Sequence, residues 1–313
     1  MCGVIGLLLR DPLLEPRLGS LLVPMLEALD ERGPDSSGIA VYADREVGEV
    51  DDLDSLGTRA PDAATLRLSL GADEPVDWVA LGCALLDLCP SGAHVHRFGA
   101  GAVVDIPESA LEWVEAVLAE QWPVVRVLGT GWNLRVLKDT GRPTHTCERY
   151  DVRDWKGYLA IAHTRMATES AVTVLHSHPF VPDRDLCVVH NGSFSNYATV
   201  RRRLRDEGIA FDSDNDSEVG ARFLAMRLEQ GDDLEEATRW VMKEMDGFFT
   251  LVITSAEGMS VVRDAFACKP AVVAEAPGYV AVASEYRALA ELPGIADAAV
   301  FEPHPEEVYT WTR

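Results

Sequence analysis

Cys2 stands directly after the initiator Met1 and directly before Gly3 and an apolar run. Its small side chain permits removal of Met1, which would leave Cys2 with a free α-amine. Such an amine has a reference pKa of about 7.7–8.0, so it can accept a proton near neutral pH. One residue then supplies both a thiol nucleophile and its base, the amine acting directly or through one water. Position alone does not decide the chemistry, because many chains begin Met-Cys. Three further groups suit acyl transfer. His190-Asn191-Gly192 ends a predicted strand. An Asn amide beside a Gly backbone N–H would offer two donors to an oxygen that becomes negative, although an Asn-Gly turn explains the same residues. Arg165 follows a predicted strand within His163-Thr164-Arg165-Met166-Ala167-Thr168. From there it could clamp a carboxylate in bidentate fashion, or be a surface arginine at a strand end. Ser213-Asp214-Asn215-Asp216-Ser217-Glu218 opens a predicted helix. These are ordinary N-cap residues, but a site for a free amino acid needs an anion as well as an arginine.

The elements that must position these residues are legible as runs and periods. Val4 to Leu9 reads as a buried strand, and Leu18 to Leu29 carries apolar residues at helical spacing up to Gly33-Pro34. Gly38 to Tyr42, Gly157 to Thr164 and Leu186 to His190 read as strands. Tyr197, Val200 and Leu204 mark a helix capped by Gly208, and further helices start near Asp216 and Leu234. From Phe248 onward short strands alternate with turns. Between Ala43 and Trp155 the texture changes, with strands predicted at Thr65–Leu70 and Val124–Leu128 and a helix near Glu108 to Gln121. No catalytic constellation is visible there, and His94 and His96 read as surface histidines. Trp78, Trp113, Trp122 and Trp132 serve either the core of this region or, as a group, a docking surface.

Composition bounds the function. The 313 residues carry a formal net charge of −23, which disfavours a nucleic-acid or anionic-membrane surface. The one dense basic cluster, Arg201 to Arg203 with Arg205, reads as a solvated helix face. No apolar run is long enough for a membrane span, and the N-terminus lacks the features of a secretory signal. The six cysteines are scattered without a CxxC pair, so reduced, buried thiols are expected for all but Cys2. Metal binding is not expected.

Five motifs taken in order are more specific than any one. CGVIG at the start, RGPDSSG at Arg32 to Gly38, HTRMAT at His163 to Thr168, HNG at His190 to Gly192 and the acidic SDNDSE resemble the class II, N-terminal-nucleophile glutamine amidotransferases. The resemblance covers residues 2–42 and 157–313. It implies an α+β fold over residues 2–313, a four-layer αββα sandwich of the N-terminal-nucleophile hydrolase type, with residues 43–155 as an inserted α+β region. It also implies site roles. Cys2 would be nucleophile and base, with Asn191 and Gly192 as the oxyanion hole. Arg165 would bind the α-carboxylate of glutamine and Asp216 its α-amino group, while Thr168, Arg32 and Asp35 shape the pocket. Met166 and Glu169 depart from the residues that some members carry, Trp and His, which bears on closure of the glutamine loop.

HTRMATESAV, DGFFT at Asp246 to Thr250, and RDAFACKP followed by ASEYRAL are most similar to stand-alone glutaminase subunits of glutamate-synthase-type complexes, including N-methylglutamate synthase. The sequence ends at Arg313, shortly after this pattern. The resemblance therefore implies a cytoplasmic chain without its own cofactor, with flavin and iron–sulfur groups on partner subunits. Ammonia would pass to a separate synthase subunit, and a homo-oligomer stays open. Two other readings remain. One is a self-sufficient N-terminal-Cys amidohydrolase acting on another γ-glutamyl amide, and the other is a non-catalytic assembly subunit.

Overall fold

Each strand that carries a candidate residue is an apolar run, and each lies inside a sheet with both faces covered. A computed structural model describes residues 2–44, 55–56, 65–89, 93–167 and 171–313. Strand β1 (Gly3–Leu9) leads to helix α1 (Leu18–Ala28) and β2 (Ser36–Tyr42). Next come β3 (Ser55–Leu56), β4 (Thr65–Ala72), α2 (Trp78–Leu88), β5 (His94–Phe98), β6 (Gly101–Pro107), α3 (Leu111–Gln121) and β7 (Val125–Gly131). β8 (Leu134–Thr140), α4 (Pro143–Arg149), β9 (Leu159–Arg165), β10 (Phe180–Asp183) and β11 (Leu186–Phe194) follow. Three helices, α5 (Tyr197–Asp206), α6 (Asp216–Glu229) and α7 (Leu234–Glu244), precede β12 (Gly247–Ser255) and β13 (Gly258–Arg263). The chain closes with β14 (Val272–Ala276), β15 (Tyr279–Ala283), β16 (Ala299–Phe301) and β17 (Val308–Thr312).

Among the described residues these strands form three sheets. The first has seven strands in the order β16-β14-β15-β1-β9-β2-β8, and the second has five in the order β10-β11-β12-β13-β17. Alternation along the strands sorts side chains to two faces. Ile5, Leu7 and Leu9 of β1 pack against Leu18, Leu22 and Met25 of α1. Val4 and Leu8 point the other way, toward Val189, Val252 and Val261 of the second sheet. The far face of that sheet, with Val188, Leu251 and Ile253, is covered by Leu204, Phe223 and Val241 of α5, α6 and α7. Helix α7 begins with a reciprocal capping box between Asp233 and Glu236, which satisfies two end amides.

The third sheet, β3-β5-β6-β4-β7, has its own core with α2 and α3, built on Leu66, Leu68, Leu81, Val104 and Val114. Trp78, Trp122 and Trp132 join that core, whereas Trp113 stays 40% exposed. β4 and β7 pack against β8, and β7 also packs against β10. Residues 134–155, which the sequence reading assigns to the inserted region, pack with the main body. β8 pairs residue by residue with β2, and α4 lies on α1. The cause is hydrophobic: Leu137 and Cys147 fill the core under α1.

Other expectations differ in detail. His94 is buried, because β5 is an interior strand between β3 and β6. Cys83 and Cys268 are exposed rather than buried. Arg201 is buried in place of lining a solvated face, donating to the carbonyls of Ser213 and Asn215, each at 2.8 Å. No helix among the described residues is long and apolar enough to cross a membrane.

Gly38 illustrates how closely the segments pack. It pairs with Lys138 on one side and His163 on the other, and a Cβ there would run into the carbonyl oxygen of His178. Because that neighbour is backbone, it cannot rotate aside. Gly38→Ala should destabilise the fold by about 3 kcal/mol, readable as a lower urea midpoint at unchanged slope; an unchanged midpoint would show that the segment carrying His178 moves freely.

Candidate active site

Two strand ends from one sheet and one from the other bring the candidate residues together. Gly3 of β1 lies opposite Thr164 of β9, so Cys2 and Arg165 flank the same end of the seven-stranded sheet. The Cys2 thiol faces the Met166 carbonyl at 3.8 Å, and the Cys2 carbonyl accepts from Arg32 Nε at 3.0 Å. Arg32 is buried and also pairs with Glu285, which Arg287 holds from the other side at 2.6 Å. Burial alone would raise the Glu285 carboxyl, but the two guanidinium groups outweigh it and hold the pKa below the ordinary value.

Asp35 ties the same end together. Its carboxylate accepts from the Ala167 amide at 2.8 Å, and its own amide donates to the Arg165 carbonyl at 3.1 Å. Arg165 is 5% exposed and donates from Nη1 to the Ala171 carbonyl at 2.8 Å. Burial lowers its pKa, while the charges of Cys2 and Asp35 favour its protonated form. Cys2, Arg32, Asp35 and Arg165 thus form one cluster. Met166 is exposed beside it. Thr168 and Glu169 lie outside the described residues.

The facing sheet supplies Asn191 and Gly192 at the end of β11. His163 Nε2 donates to the His190 carbonyl at 3.1 Å, which sets these ends against one another. Asn191 is buried, and its Nδ2 has no hydrogen-bond partner among the described residues. A buried amide donor left open costs free energy, so it marks a place prepared for an acceptor. Gly192 has φ 152°, and a Cβ there would collide with the Phe248 carbonyl oxygen. Only glycine brings the backbone so close.

Asp216, the first residue of α6, accepts from the Phe194 amide at 2.7 Å and from the Ser217 hydroxyl at 3.3 Å. Its N-cap is Asn215, whose side chain accepts from the Ser217 amide. Ser217 also bonds His190 Nδ1 at 2.7 Å. Asp216 is therefore tied to β11 and sits beside the strand that holds Asn191.

Sequence reasoning misses the layer beneath. His163, His178 and His190 are buried, with the His163 and His178 rings 4.1 Å apart. Burial keeps all three neutral, pushing His163 down to about 3 and the others below the ordinary histidine value. His163 and His190 support the site as uncharged hydrogen-bonding groups, and His178 as uncharged packing. The only signal in the sequence is the place of His163 near Arg165 and of His190 beside Asn191; His178 carries none.

With the geometry in view, the comparisons are decisive. The profile of a glutamine amidotransferase domain matches residues 163–291. The glutamine amidotransferase-like protein GlxB of Rhizobium meliloti (strain 1021) is 44% identical over 314 residues, covering 99% of this chain and 98% of that protein. The chain belongs to the class II glutamine amidotransferases. It is an enzyme of that family. The glutamine–fructose-6-phosphate aminotransferase (isomerizing) of Chlamydia caviae is 33% identical over 156 residues, half of this chain and 26% of that one. Among solved structures, the allosteric regulatory enzyme of purine biosynthesis shares the fold at a TM-score of 0.61 and 16% identity. That likeness covers 99% of the amidotransferase chain described here and 46% of the solved chain.

The neutral histidines give this amidotransferase an acid-side liability. In the unfolded chain each imidazole takes a proton near 6.5, whereas His163 in the fold resists down to about 3. Between those values the unfolded state binds more protons, so stability falls as pH drops, by up to about 1.4 kcal/mol per unit and per histidine. Urea unfolding followed from pH 6.5 to about 5 should show that fall, and His163→Gln should make it shallower. Equal slopes would place a charge on His163 in the folded state.

Proposed function

We propose that this chain is a glutaminase subunit that hydrolyses glutamine to glutamate and ammonia through a thioester on Cys2. The observation that carries this reading is the open Asn191 amide, buried at the same end of the paired sheets as Cys2. The stack of helix, sheet, sheet and helices is read here as the four-layer αββα sandwich, with the third sheet as the inserted region.

In this mechanism Met1 is removed, and the freed amine of Cys2 takes the thiol proton. The sulfur attacks the side-chain amide carbon, and Asn191 and Gly192 stabilise the oxygen as it becomes negative. The proton passes to the leaving nitrogen, ammonia departs, and a γ-glutamyl thioester remains. Water then releases glutamate and restores the thiol. Arg165 holds the α-carboxylate of glutamine and Asp216 its α-amino group, while Arg32, Asp35 and Thr168 shape the pocket. Arg32 does so by holding the Cys2 backbone. Asp35 does so by fixing the turn after Arg165.

The ammonia is used by a separate subunit of the glutamate-synthase or N-methylglutamate-synthase kind, which carries flavin and iron–sulfur groups. A cytoplasmic setting fits that division of labour. Delivery within a complex has a physical motive, since ammonia released to water is protonated and ceases to be a nucleophile. The telling experiment is co-purification from the native host with glutamine-dependent synthase activity in the complex; a pure chain that meets no partner and shows no such activity counts against this assignment.

Cys2→Ala should abolish glutaminase activity with the fold intact, and intact-mass measurement should find Met1 absent from active protein. Asn191→Ala should lower kcat by about 10²–10³ with little change in KM. Full activity with Met1 retained would remove the amine from the chemistry.

Wild type should discriminate strongly against a glutamine analogue lacking the α-amino group, by about 30- to 1000-fold in kcat/KM for a lost buried charge-assisted contact. Asp216→Ala should discriminate much less. If both proteins discriminate equally, Asp216 acts only on Phe194 and Ser217.

A further inference from the structure

Lys138 has no role in the chemistry above, yet it is the least expected cation in the fold. It sits on β8 and is 6% exposed, and its ammonium makes no hydrogen bond or ion pair among the described residues. The Phe180 ring lies beside it, its centroid 5.2 Å from Nζ. An ammonium has three donors and no acceptor, so burial with none engaged is costly. The register explains where it points. Lys138, Gly38 and His163 form one row across the sheet, and His163 faces the second sheet. Lys138 faces the same way, into a solvent-open cleft where β8, β10, α6 and the inserted sheet meet.

The rest of that cleft is charged in a particular way. Glu218 is buried and accepts from the Asp212 and Ser213 amides, each at 2.8 Å. Arg222 bonds Asp212 at 2.7 Å and the Pro182 carbonyl at 3.0 Å, and its Nε lies 3.6 Å from the Glu218 carboxylate. Lys138 and Arg222 against Glu218 and Asp212 leave no net charge. Even so, Lys138 forms no ion pair with either carboxylate, although both act on it through space. Apolar residues line the same cleft, among them Leu128, Leu175, Phe180 and Val181. A simple anion would meet Glu218, and a simple cation would meet Lys138. A ligand with both poles and an apolar body would satisfy all three surfaces.

We propose that this cleft is a second ligand site, distinct from the Cys2 site, for a small zwitterionic amino acid with an apolar side chain. Its carboxylate bonds Lys138 Nζ, its ammonium faces Glu218 and Asp212, and its side chain lies on Leu128 and Phe180. Burial lowers the Lys138 pKa to about 8, opposed by the carboxylates of Glu218 and Asp212. His178, from the segment before β10, and Arg222, from α6, also face this region. Binding should therefore hold below about pH 8 and weaken above it as Lys138 loses its proton.

The test titrates L-valine and L-leucine into the full chain carrying Arg165→Met, which removes the carboxylate clamp proposed for glutamine, and follows heat or ligand NMR signals. Saturable binding is expected, at least ten-fold weaker when Lys138→Met is added and weaker in the Arg165→Met protein above pH 8. Acetate and isobutylamine, each with one pole, should bind at least ten-fold more weakly than valine. The Cys2→Ala protein saturated with glutamine should repeat the result with the first site filled instead of altered. No saturable binding of either amino acid, equal affinity after Lys138→Met, or acetate binding as tightly as valine would each overturn the proposal.

Discussion

The strand ends that carry the candidate residues belong to two different sheets, so everything at the site depends on how one sheet is held against the other. Apolar side chains between them supply adhesion without direction, since hydrophobic burial is non-directional. Direction comes from the bond that His163 donates to the His190 carbonyl. It joins the residue two before Arg165 to the residue before Asn191. A bond inside a low-dielectric layer is stronger than one in water, and the same layer makes a charge on the imidazole costly. The buried histidines are thus both the locating pin of the site and its weakness toward acid.

A second level of order comes from carboxylates that hold backbone amides. Asp35 holds the Ala167 amide, Asp216 the Phe194 amide, and Glu218 the amides of Asp212 and Ser213. Each fixes a turn beside a strand end or a helix start. Arg201 does the complementary work, donating to the carbonyls of Ser213 and Asn215. In a chain this acidic, part of the excess charge is therefore spent on architecture.

Legibility in the sequence follows from the kind of force involved. β1, β9 and β11 are visible as apolar runs because hydrophobic burial acts on residue type alone. α1 is visible through its period and α6 through its start signal. Cys2, Arg165 and Asn191 stand out because polar groups at strand ends are few. What stays hidden depends on contacts distant in the chain. His94 reads as a surface residue until β3 and β6 flank it, and β8 reads as part of the inserted region until its register with β2 appears. Lys138 and the histidine layer are silent for the same reason: a buried polar residue looks in sequence like an exposed one. The role of Arg201 is hidden by its basic neighbours, which do reach solvent or the helix rim.

The placement of the third sheet has a further consequence. β8 and β10 are the terminal strands of their sheets, and both lie at the same side of the molecule. A terminal strand presents unpaired amides and carbonyls that can template the addition of a foreign strand, a route to aggregation. β4 and β7 lie across this side and cover both strands at once. The inserted sheet thereby acts as a guard over two exposed seams. A related chain that lacked it would need charges, a bulge or another subunit to protect the same two edges.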